Sequence, residues 1–343
     1  MADEVQQSAP AAAAGGKFLG DPPPTDSRGE HDSEKSSNAP QVEPSDAKPT
    51  VLITGCSEGG IGAALALQFW ERGYHVYATA RDVGKIGGPL SGLSDVSLLT
   101  LDVTKPEHIR EAAAVVERQT DGRGLDVLVN NAGKAHFMPL LDDDLDDVRN
   151  TIEVNYVAPL AVTQAFAPSL IKAKGVSVYL TSLAGYLNIP YVGIYAGLKR
   201  ATEIMAETLR LEMQPFGVDV MELVTGGVQS NGQKHYDDWR LPEGSRYKRI
   251  EPLIKKVAQG HDEWARMDTM EYAAGVVEEI ISRRTKGRLW CGGGADMTKG
   301  AMVPAGWDQD AMDAMAAQGQ GLDLLGKGAG VEEQGKAEYR ILG

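Results

Sequence analysis

The chain has 343 residues and a net charge of −14. A negative field of this size opposes contact with a phosphate backbone, so nucleic-acid partners are not expected. The sequence contains only two cysteines, Cys56 and Cys291, which argues against a disulfide framework and favours a reducing compartment. The histidines lack the spacing of metal ligands, and the sequence therefore predicts a cytoplasmic protein without a metal centre.

The N-terminal segment, residues 1–48, is rich in Ala, Pro, Ser, Asp and Glu and has almost no aliphatic run. Such a segment cannot bury enough apolar surface to offset its ordering entropy, and we predict a disordered tail. It has the pattern of neither a secretory signal nor a mitochondrial transit peptide. No window approaches eighteen consecutive apolar residues, so we predict no transmembrane segment, while peripheral association with lipid stays open.

From Thr50 onward, short runs of Val, Ile and Leu alternate with helical stretches. This alternation is typical of parallel strands covered by helices on both faces, and predicts an α/β fold with a doubly wound parallel sheet in one domain, residues 49–297. Strands are predicted at 50–54, 74–79, 97–101, 125–129, 176–181 and 218–223, with a seventh at 288–291. Helices are predicted at 61–73, 106–120, 144–172 and 192–214, the last two long enough to pack against a partner subunit.

Residues 229–270 interrupt the alternation of strands and helices with charged and aromatic residues. A segment that follows the sixth strand would lie over the carboxyl ends of the strands, where open α/β sheets bind their ligands. We predict a substrate lid, the alternative being a solvated helical excursion whose aromatic residues serve core packing. Residues 298–343 are rich in Gly, Ala, Met, Gln and Asp and predict a loosely ordered tail. The aromatic and histidine residues of the lid are His235, Tyr236, Trp239, Tyr247 and Trp264.

A glycine-rich loop follows the first predicted strand and leads into an Ala- and Leu-rich helix. Glycines let the backbone approach a pyrophosphate, and the N-terminus of a helix offers free N–H groups with a partial positive charge. Because a strand precedes the loop and a helix follows it, the motif has the context that nucleotide binding requires. The candidate cofactor contacts here are Gly55, Ser57, Gly60 and Ile61.

Arg81 follows the end of the second predicted strand, where enzymes that prefer the unphosphorylated cofactor usually place a carboxylate. A guanidinium suits a 2′-phosphate, so the sequence favours NADPH, with an ordinary surface arginine as the alternative. Asp102 and Val103 follow the third strand. The carboxylate of Asp102 could accept a hydrogen bond from the adenine amino group, or it could cap the helix that starts near Pro106.

Tyr195 and Lys199 are four residues apart on a predicted helix and therefore share a face. An ammonium beside a phenol stabilises the phenolate, which would bring a pKa of about 10 towards neutral pH. Ser182 ends a strand-like run, where its hydroxyl can hold a substrate oxygen at the mouth of the sheet. This set of side chains predicts proton transfer in a reductase site.

With these residues assembled, the chain resembles the short-chain dehydrogenase/reductase family over about residues 49–295. The glycine loop carries one residue more than the commonest family form. The resemblance implies a Rossmann fold, an NADP(H)-dependent oxidoreductase acting on a CH–OH/C=O pair, and a homodimer or homotetramer. The features that carry it are the loop at 54–62, Asp102, the turn at 130–133, Asn155, Ser182, Tyr195 and Lys199.

The resemblance also implies roles for the four catalytic candidates. Tyr195 would protonate the carbonyl oxygen as hydride arrives, and Ser182 would hold and polarise the carbonyl. Lys199 would bind the nicotinamide ribose and lower the pKa of the phenol, while Asn155 would bind a water that links Lys199 to solvent. Tyr195 is also expected to contact the cofactor, and further cofactor contacts are expected at Asn131, Ala132, Gly227, Val228 and Ser230.

Three functions remain open at this point. The runs around the glycine loop, around Arg81 and after the sixth strand look like those of fungal NADPH-dependent 1-acyldihydroxyacetone-phosphate reductases. Relatives of that kind often end in an apolar segment, whereas residues 300–343 here are polar and glycine-rich. A small-molecule ketone of a polyketide or terpenoid pathway is the alternative substrate. The third hypothesis is a non-catalytic NADP-binding sensor or scaffold, which would not need Ser182, Tyr195 or Lys199.

Overall fold

A parallel sheet runs through the part of the chain that this computed structural model describes, residues 47–282, 287–302 and 314. All of the pairings between its neighbouring strands are parallel, and their order is β3-β2-β1-β4-β5-β6-β7. The predicted tail at 1–48 lies outside the described residues except for its last two. The strands are β1 (Thr50–Ile53), β2 (His75–Ala80), β3 (Val96–Thr100), β4 (Val127–Asn130), β5 (Val176–Ser182), β6 (Asp219–Thr225) and β7 (Gly287–Cys291).

Helices cover both faces of this sheet, so the predicted doubly wound α/β fold is confirmed. Helices α1 and α7 pack on one face, and α2, α4 and α5 pack on the other. Their bounds are α1 (Ile61–Glu71), α2 (Pro106–Gln119), α3 (Leu145–Ile152), α4 (Ala158–Ala173), α5 (Gly193–Met213), α6 (Glu251–Ala258), α7 (Thr269–Ser282) and α8 (Ala295–Met302).

The central strand β1 shows why the sheet is buried on both sides. Val51 and Ile53 point into the core beneath α1 and α7, while Leu52 points into the core beneath α2, α4 and α5. All three side chains are inaccessible to solvent, as expected of a central parallel strand. The carboxyl ends of the strands therefore share one edge, and the loops that follow them meet there.

The helix predicted at 144–172 is continuous but contains one π-helical turn, Glu153–Val157, between α3 and α4. Such wider turns inside α-helices occur frequently at functional sites. Among the described residues, the span Leu145–Ala173 is the one helix long and apolar enough to cross a membrane. Helices in a protein core meet the same test, and Val162, Phe166 and Leu170 of this span are fully buried against the sheet.

The segment after β6 contains short 3₁₀ turns and α6 before it reaches α7. A helical excursion was the alternative given for residues 229–270, whereas α7 was not predicted from the sequence. Helix α7 buries Tyr272, Val276 and Ile280 in the core that it shares with α1, so the predicted lid boundary at 270 falls inside this helix. The predicted domain boundary at 297 likewise falls inside α8. The buried Thr298 donates a hydrogen bond to Gly294 O at 3.0 Å, so the domain continues to Met302. The rest of the predicted C-terminal tail lies outside the described residues except for residue 314.

Candidate active site

The glycine loop leaves β1 through Gly55, whose φ of 78° lies in the left-handed region. A Cβ atom at Gly55 would lie 3.1 Å from Ala132 Cα, and one at Gly62 would lie 2.4 Å from Gly55 O. Both positions therefore need glycine, the first for its conformation and the second for space. The resulting close approach brings the loop against the turn that follows β4.

Hydrogen bonds from the β4 turn hold this loop from behind. The Thr54 hydroxyl accepts the backbone N–H groups of Asn131 at 3.0 Å and Ala132 at 2.9 Å. The Asn131 amide in turn donates to Thr54 O at 2.7 Å and Gly55 O at 3.0 Å. No side chain caps α1, which begins after Gly60. The N–H groups of its first turn are therefore available to an anion.

A cavity of about 530 Å³ extends from this loop to the segment after β6. Five of the predicted residues do not line it. Ala132 contacts Gly55 of the glycine loop, and Asn155 lies next to the lining residue Gly133. The other three, at the ends of β2 and β3, are Arg81, Asp102 and Val103. The predicted residues that line it are Gly55, Ser57, Gly60, Ile61, Asn131, Ser182, Tyr195, Lys199, Gly227, Val228 and Ser230.

Ser182, Tyr195 and Lys199 converge at this cavity from two elements. Ser182 is the last residue of β5, and the other two project from the first two turns of α5. The buried Lys199 Nζ donates to Leu180 O at 2.7 Å and lies 5.6 Å from the centre of the Tyr195 ring. The Ser182 hydroxyl is a hydrogen-bond partner of the Tyr195 phenol and also accepts Ala184 N–H at 3.2 Å.

The pKa of Tyr195 differs from the sequence expectation. Burial raises the pKa of this phenol, and the hydrogen bond with Ser182 offsets only part of the increase. Burial also lowers the pKa of Lys199 to about 8. The predicted lowering of the phenol pKa is therefore absent here, because Lys199 Nζ lies over the ring while desolvation disfavours the phenolate. The phenol stays protonated at neutral pH, the form that a proton donor needs.

Asn155 reaches the same region from the π-helical turn. Its side chain accepts Lys134 N–H and donates to Lys134 O, both at 2.8 Å. A Cβ at Gly133 would lie 3.1 Å from Asn155 Oδ1 and 3.7 Å from Lys199 Nζ. Gly133 thus separates the two side chains, and only a residue without a side chain leaves that gap open.

Arg81 and Asp102 lie beyond the cavity, at the ends of β2 and β3. Burial raises the pKa of Asp102, but hydrogen bonds from Thr104 and the nearby charge of Arg81 outweigh it and hold this pKa below its usual range. Asp102 Oδ1 accepts Thr104 N–H at 3.0 Å and the Thr104 hydroxyl at 2.7 Å. Asp102 does not cap α2, because Lys105 occupies the capping position. Arg81 itself is exposed.

The run after β6 forms another part of the cavity wall. A Cβ at Gly226 would lie 2.3 Å from Gly293 O, and one at Gly227 would lie 2.2 Å from Ala265 O. These glycines therefore pack against two other backbone segments. Ser230 accepts Gly232 N–H at 3.5 Å as the cap of a short 3₁₀ turn, which the sequence reading gave as its more ordinary role.

Asn231 is a cavity residue that sequence reasoning missed. Its side-chain amide donates to Glu58 O at 2.6 Å, which joins the segment after β6 to the glycine loop. The two residues are 173 positions apart, and nothing local in the sequence signals their contact. Other lining residues that were missed include Glu58, Lys134, His136, Phe137, Asp262 and Arg266.

The predicted lid residues divide between the cavity wall and a small core. Tyr236 and Trp264 line the cavity, whereas Trp239 is buried and donates to Phe137 O at 2.7 Å. Tyr247 packs in the cluster around Trp239, and the side chain of His235 lies outside the described residues. Some residues of this segment thus line the cavity and others serve core packing, while the substrate lid itself stays a prediction.

Comparison with known proteins shows which family the chain resembles. The family model described as short chain dehydrogenase matches residues 49–241. A short-chain dehydrogenase of Penicillium ochrochloron is 43% identical over 235 residues, which is 68% of this chain and 85% of that protein. The NADPH-dependent 1-acyldihydroxyacetone phosphate reductase of Schizosaccharomyces pombe is 36% identical over 242 residues, 69% of this chain and 80% of that protein.

A solved structure shows the same fold. The crystal structure of a short-chain dehydrogenase from Streptomyces avermitilis superposes with a TM-score of 0.65 at 24% identity, covering 82% of this chain and 98% of that one. The likeness extends over the sheet and its helices and therefore concerns the architecture as a whole.

Proposed function

The chain belongs to the short-chain dehydrogenase family, as its motifs led us to expect, and on that basis we propose that it is an NADPH-dependent carbonyl reductase that reduces a ketone to an alcohol. One observation carries the proposal. Ser182, Tyr195 and Lys199 meet on the wall of a cavity that also reaches the glycine loop, so a cofactor and a ketone can share one enclosed space.

The residues around the glycine loop fit the phosphates of NADP(H). The uncapped start of α1 offers N–H groups, and a side chain at Gly62 would collide with the loop. Asn131, Gly227 and Val228 line the cavity further along, where the nicotinamide end would lie. When bound, NADPH supplies a hydride, and the reductase from Schizosaccharomyces pombe carries this cofactor dependence in its name.

The proton comes from the protein. Tyr195 holds its phenolic proton at neutral pH and can donate it to the carbonyl oxygen, while the Ser182 hydroxyl holds and polarises that oxygen. Lys199 Nζ lies 5.6 Å from the centre of the Tyr195 ring, from where its ammonium can return a proton to the phenolate that forms. Asn155 fixes the backbone of Lys134 beside Lys199, in a position suited to a water that resupplies the proton. The proton would thus pass from solvent through that water and Lys199 to Tyr195.

Purified protein should oxidise NADPH, followed by the loss of its absorbance, in the presence of a suitable ketone. A panel of acyldihydroxyacetone phosphates and of bulky aliphatic and polycyclic ketones covers the substrate classes suggested by the relatives. The non-catalytic alternative predicts tight NADPH binding without turnover on every member. The convergence of three proton-handling side chains supports the enzyme, because a binding protein has no need of them.

Cofactor preference gives a second prediction. Arg81→Ala should raise KM for NADPH by about tenfold and leave KM for NADH nearly unchanged, because a guanidinium contributes only to the 2′-phosphate. Arg118→Ala removes the same charge from the far end of α2 and is the matched control. An equal effect on both cofactors, or a wild-type preference for NADH, would contradict the role of Arg81.

We also propose a homodimer or homotetramer. Several apolar side chains on α3, the π-helical turn and α5 remain exposed, among them Ile152, Val157 and Ile204 at 37%, 41% and 59%. Pairing of these helices between subunits would cover them. Size-exclusion chromatography with light scattering should therefore give two or four times the chain mass of 36.7 kDa. A monomer at micromolar concentration would rule the pairing out.

A further inference from the structure

The part of the cavity beyond Ser182 and Tyr195 has an apolar wall. We define it by the lining residues Phe137, Leu187, Ile189, Val192, Tyr236, Val257, Ala258 and Trp264. The rings of Phe137 and Tyr236 pack edge to face, with 6.2 Å between their centroids. The indole N–H of Trp239 donates to Phe137 O and so holds the backbone of Phe137. Tyr236 lies near enough to Tyr195 for the two phenols to interact electrostatically. The wall therefore begins at the proposed proton donor.

Cations near this wall are already matched by carboxylates. Arg266 forms an ion pair with Asp262 at 2.7 Å between Nη2 and Oδ1. Lys134 Nζ forms an ion pair with Asp147 Oδ1. Lys199 is the remaining lysine or arginine among the described lining side chains, which do not include those of 233–235. Its Nζ donates to Leu180 O.

The one histidine among the described lining residues is also enclosed by acids. His136 Nε2 lies 2.6 Å from Asp143 Oδ1, and Nδ1 lies 3.4 Å from Asp147 Oδ2. Whatever charge the imidazole carries is therefore met within the protein. Asp262 is already paired with Arg266, so Glu58 is the remaining acid among the described lining residues, and the cavity offers an anionic substrate no cation beyond Lys199.

We propose that the substrate is an uncharged ketone on an aromatic or polycyclic skeleton, and that phosphorylated or carboxylated ketones are excluded. This inference rests on the proposed reductase function and names its substrate class. A phosphate would lose its hydration at the wall without gaining a free cation from the described side chains of the wall, whereas a ring system would gain aromatic contacts with Phe137, Tyr236 and Trp264. Of the two substrate classes left open by the sequence, the structure favours the ketone without phosphate.

The test compares an acetonaphthone with its carboxylated counterpart, and an acyldihydroxyacetone with its phosphate. The neutral member of each pair should show a kcat/KM higher by about 100-fold or more. Asp262→Asn frees Arg266 while the amide can still accept Trp264 N–H, and should raise kcat/KM for the carboxylated ketone about tenfold relative to the neutral one. Asp146→Asn removes an equal charge from an exposed position outside the cavity and should leave the ratio unchanged.

Binding separates this inference from the proposed function. Calorimetry with the NADP-loaded Tyr195→Phe variant measures affinity for both ketones without turnover, and the neutral ketone should bind more tightly. Tighter binding or faster turnover of the anionic ketone would overturn the inference, as would the absence of measurable binding of either ketone. If the neutral ketone binds but the wild-type protein reduces none of the panel, the substrate class stands and the reductase function fails.

Discussion

Tyr195→Phe is expected to lower kcat for ketone reduction by about 10³-fold. The variant keeps the ring that lies beneath Lys199 but removes the phenolic proton that the proposed mechanism transfers to the carbonyl oxygen. NADPH should bind with unchanged affinity, because the glycine loop and α1 are untouched. Stopped-flow turnover and fluorescence titration of NADPH measure these two quantities separately.

Tyr247→Phe provides the matched control, since Tyr247 packs in the neighbouring aromatic cluster and does not line the cavity. Its kcat should remain within about twofold of the wild-type value. If Tyr195→Phe retained wild-type turnover, the proton would come from another group and the proposed relay would be wrong. A parallel loss of NADPH binding would point instead to a structural role for the hydroxyl.

Arg288→Met is expected to lower the free energy of unfolding by about 3 kcal/mol. This value lies near the lower end of the cost of breaking a buried ion pair, since 26% of the Arg288 side chain is exposed. Arg288 bridges two acids, with Nε 2.9 Å from Glu222 Oε2 and Nη2 2.7 Å from Glu203 Oε1. Both carboxylates are buried. Without the guanidinium, Glu222 keeps the 2.6 Å bond from Thr181 among its described contacts, while Glu203 keeps Arg200 and the Tyr186 hydroxyl.

The destabilisation by Arg288→Met should depend on pH. Burial, and then the charge of Glu203, raise the pKa of Glu222 from 4.5 to about 7, and Arg288 limits that rise. A carboxyl whose pKa is raised by folding contributes its stability below pH 4.5 and loses it as the pH rises through about 7. Loss of Arg288 raises this pKa further, so the deficit should be larger at pH 8 than at pH 5.

Urea denaturation at the two pH values measures this difference. Arg149→Met removes a guanidinium from an exposed pair with Asp146 and is the control, with an expected change within about 0.5 kcal/mol at either pH. An Arg288→Met variant as stable as this control would show that Glu203 and Glu222 do not depend on Arg288. A deficit that shrinks between pH 5 and pH 8 would contradict the assignment of the raised pKa to Glu222.

The sequence predicted those features that depend on local pattern. Every predicted strand lies within two residues of an observed one, because the buried strands are short apolar runs bounded by helices. Ser182 and the pair Tyr195 and Lys199 could be placed together for a related reason, since the end of β5 and the start of α5 meet at one edge of the sheet. Family membership followed from the order of such motifs.

Features that depend on tertiary contacts could not be predicted. The π-helical turn at Asn155 replaces ordinary helical hydrogen bonding, and helix propensity does not encode that change. The contact between Asn231 and Glu58, like the ion pairs of Arg288, joins residues that are distant in the chain. Helix α7 is different, because its apolar residues at 272, 273, 276, 277 and 280 follow helical periodicity and could have been recognised.

In the proposed ketone reduction, hydride comes from NADPH and the proton comes from Tyr195. The most direct test uses NADPH with two deuterium atoms at the nicotinamide C4 position and an uncharged aromatic ketone, with mass spectrometry of the alcohol. We expect one deuterium on the carbinol carbon for the wild-type protein and almost no alcohol for Tyr195→Phe. An alcohol without deuterium, or equal labelled product from the variant, would contradict it.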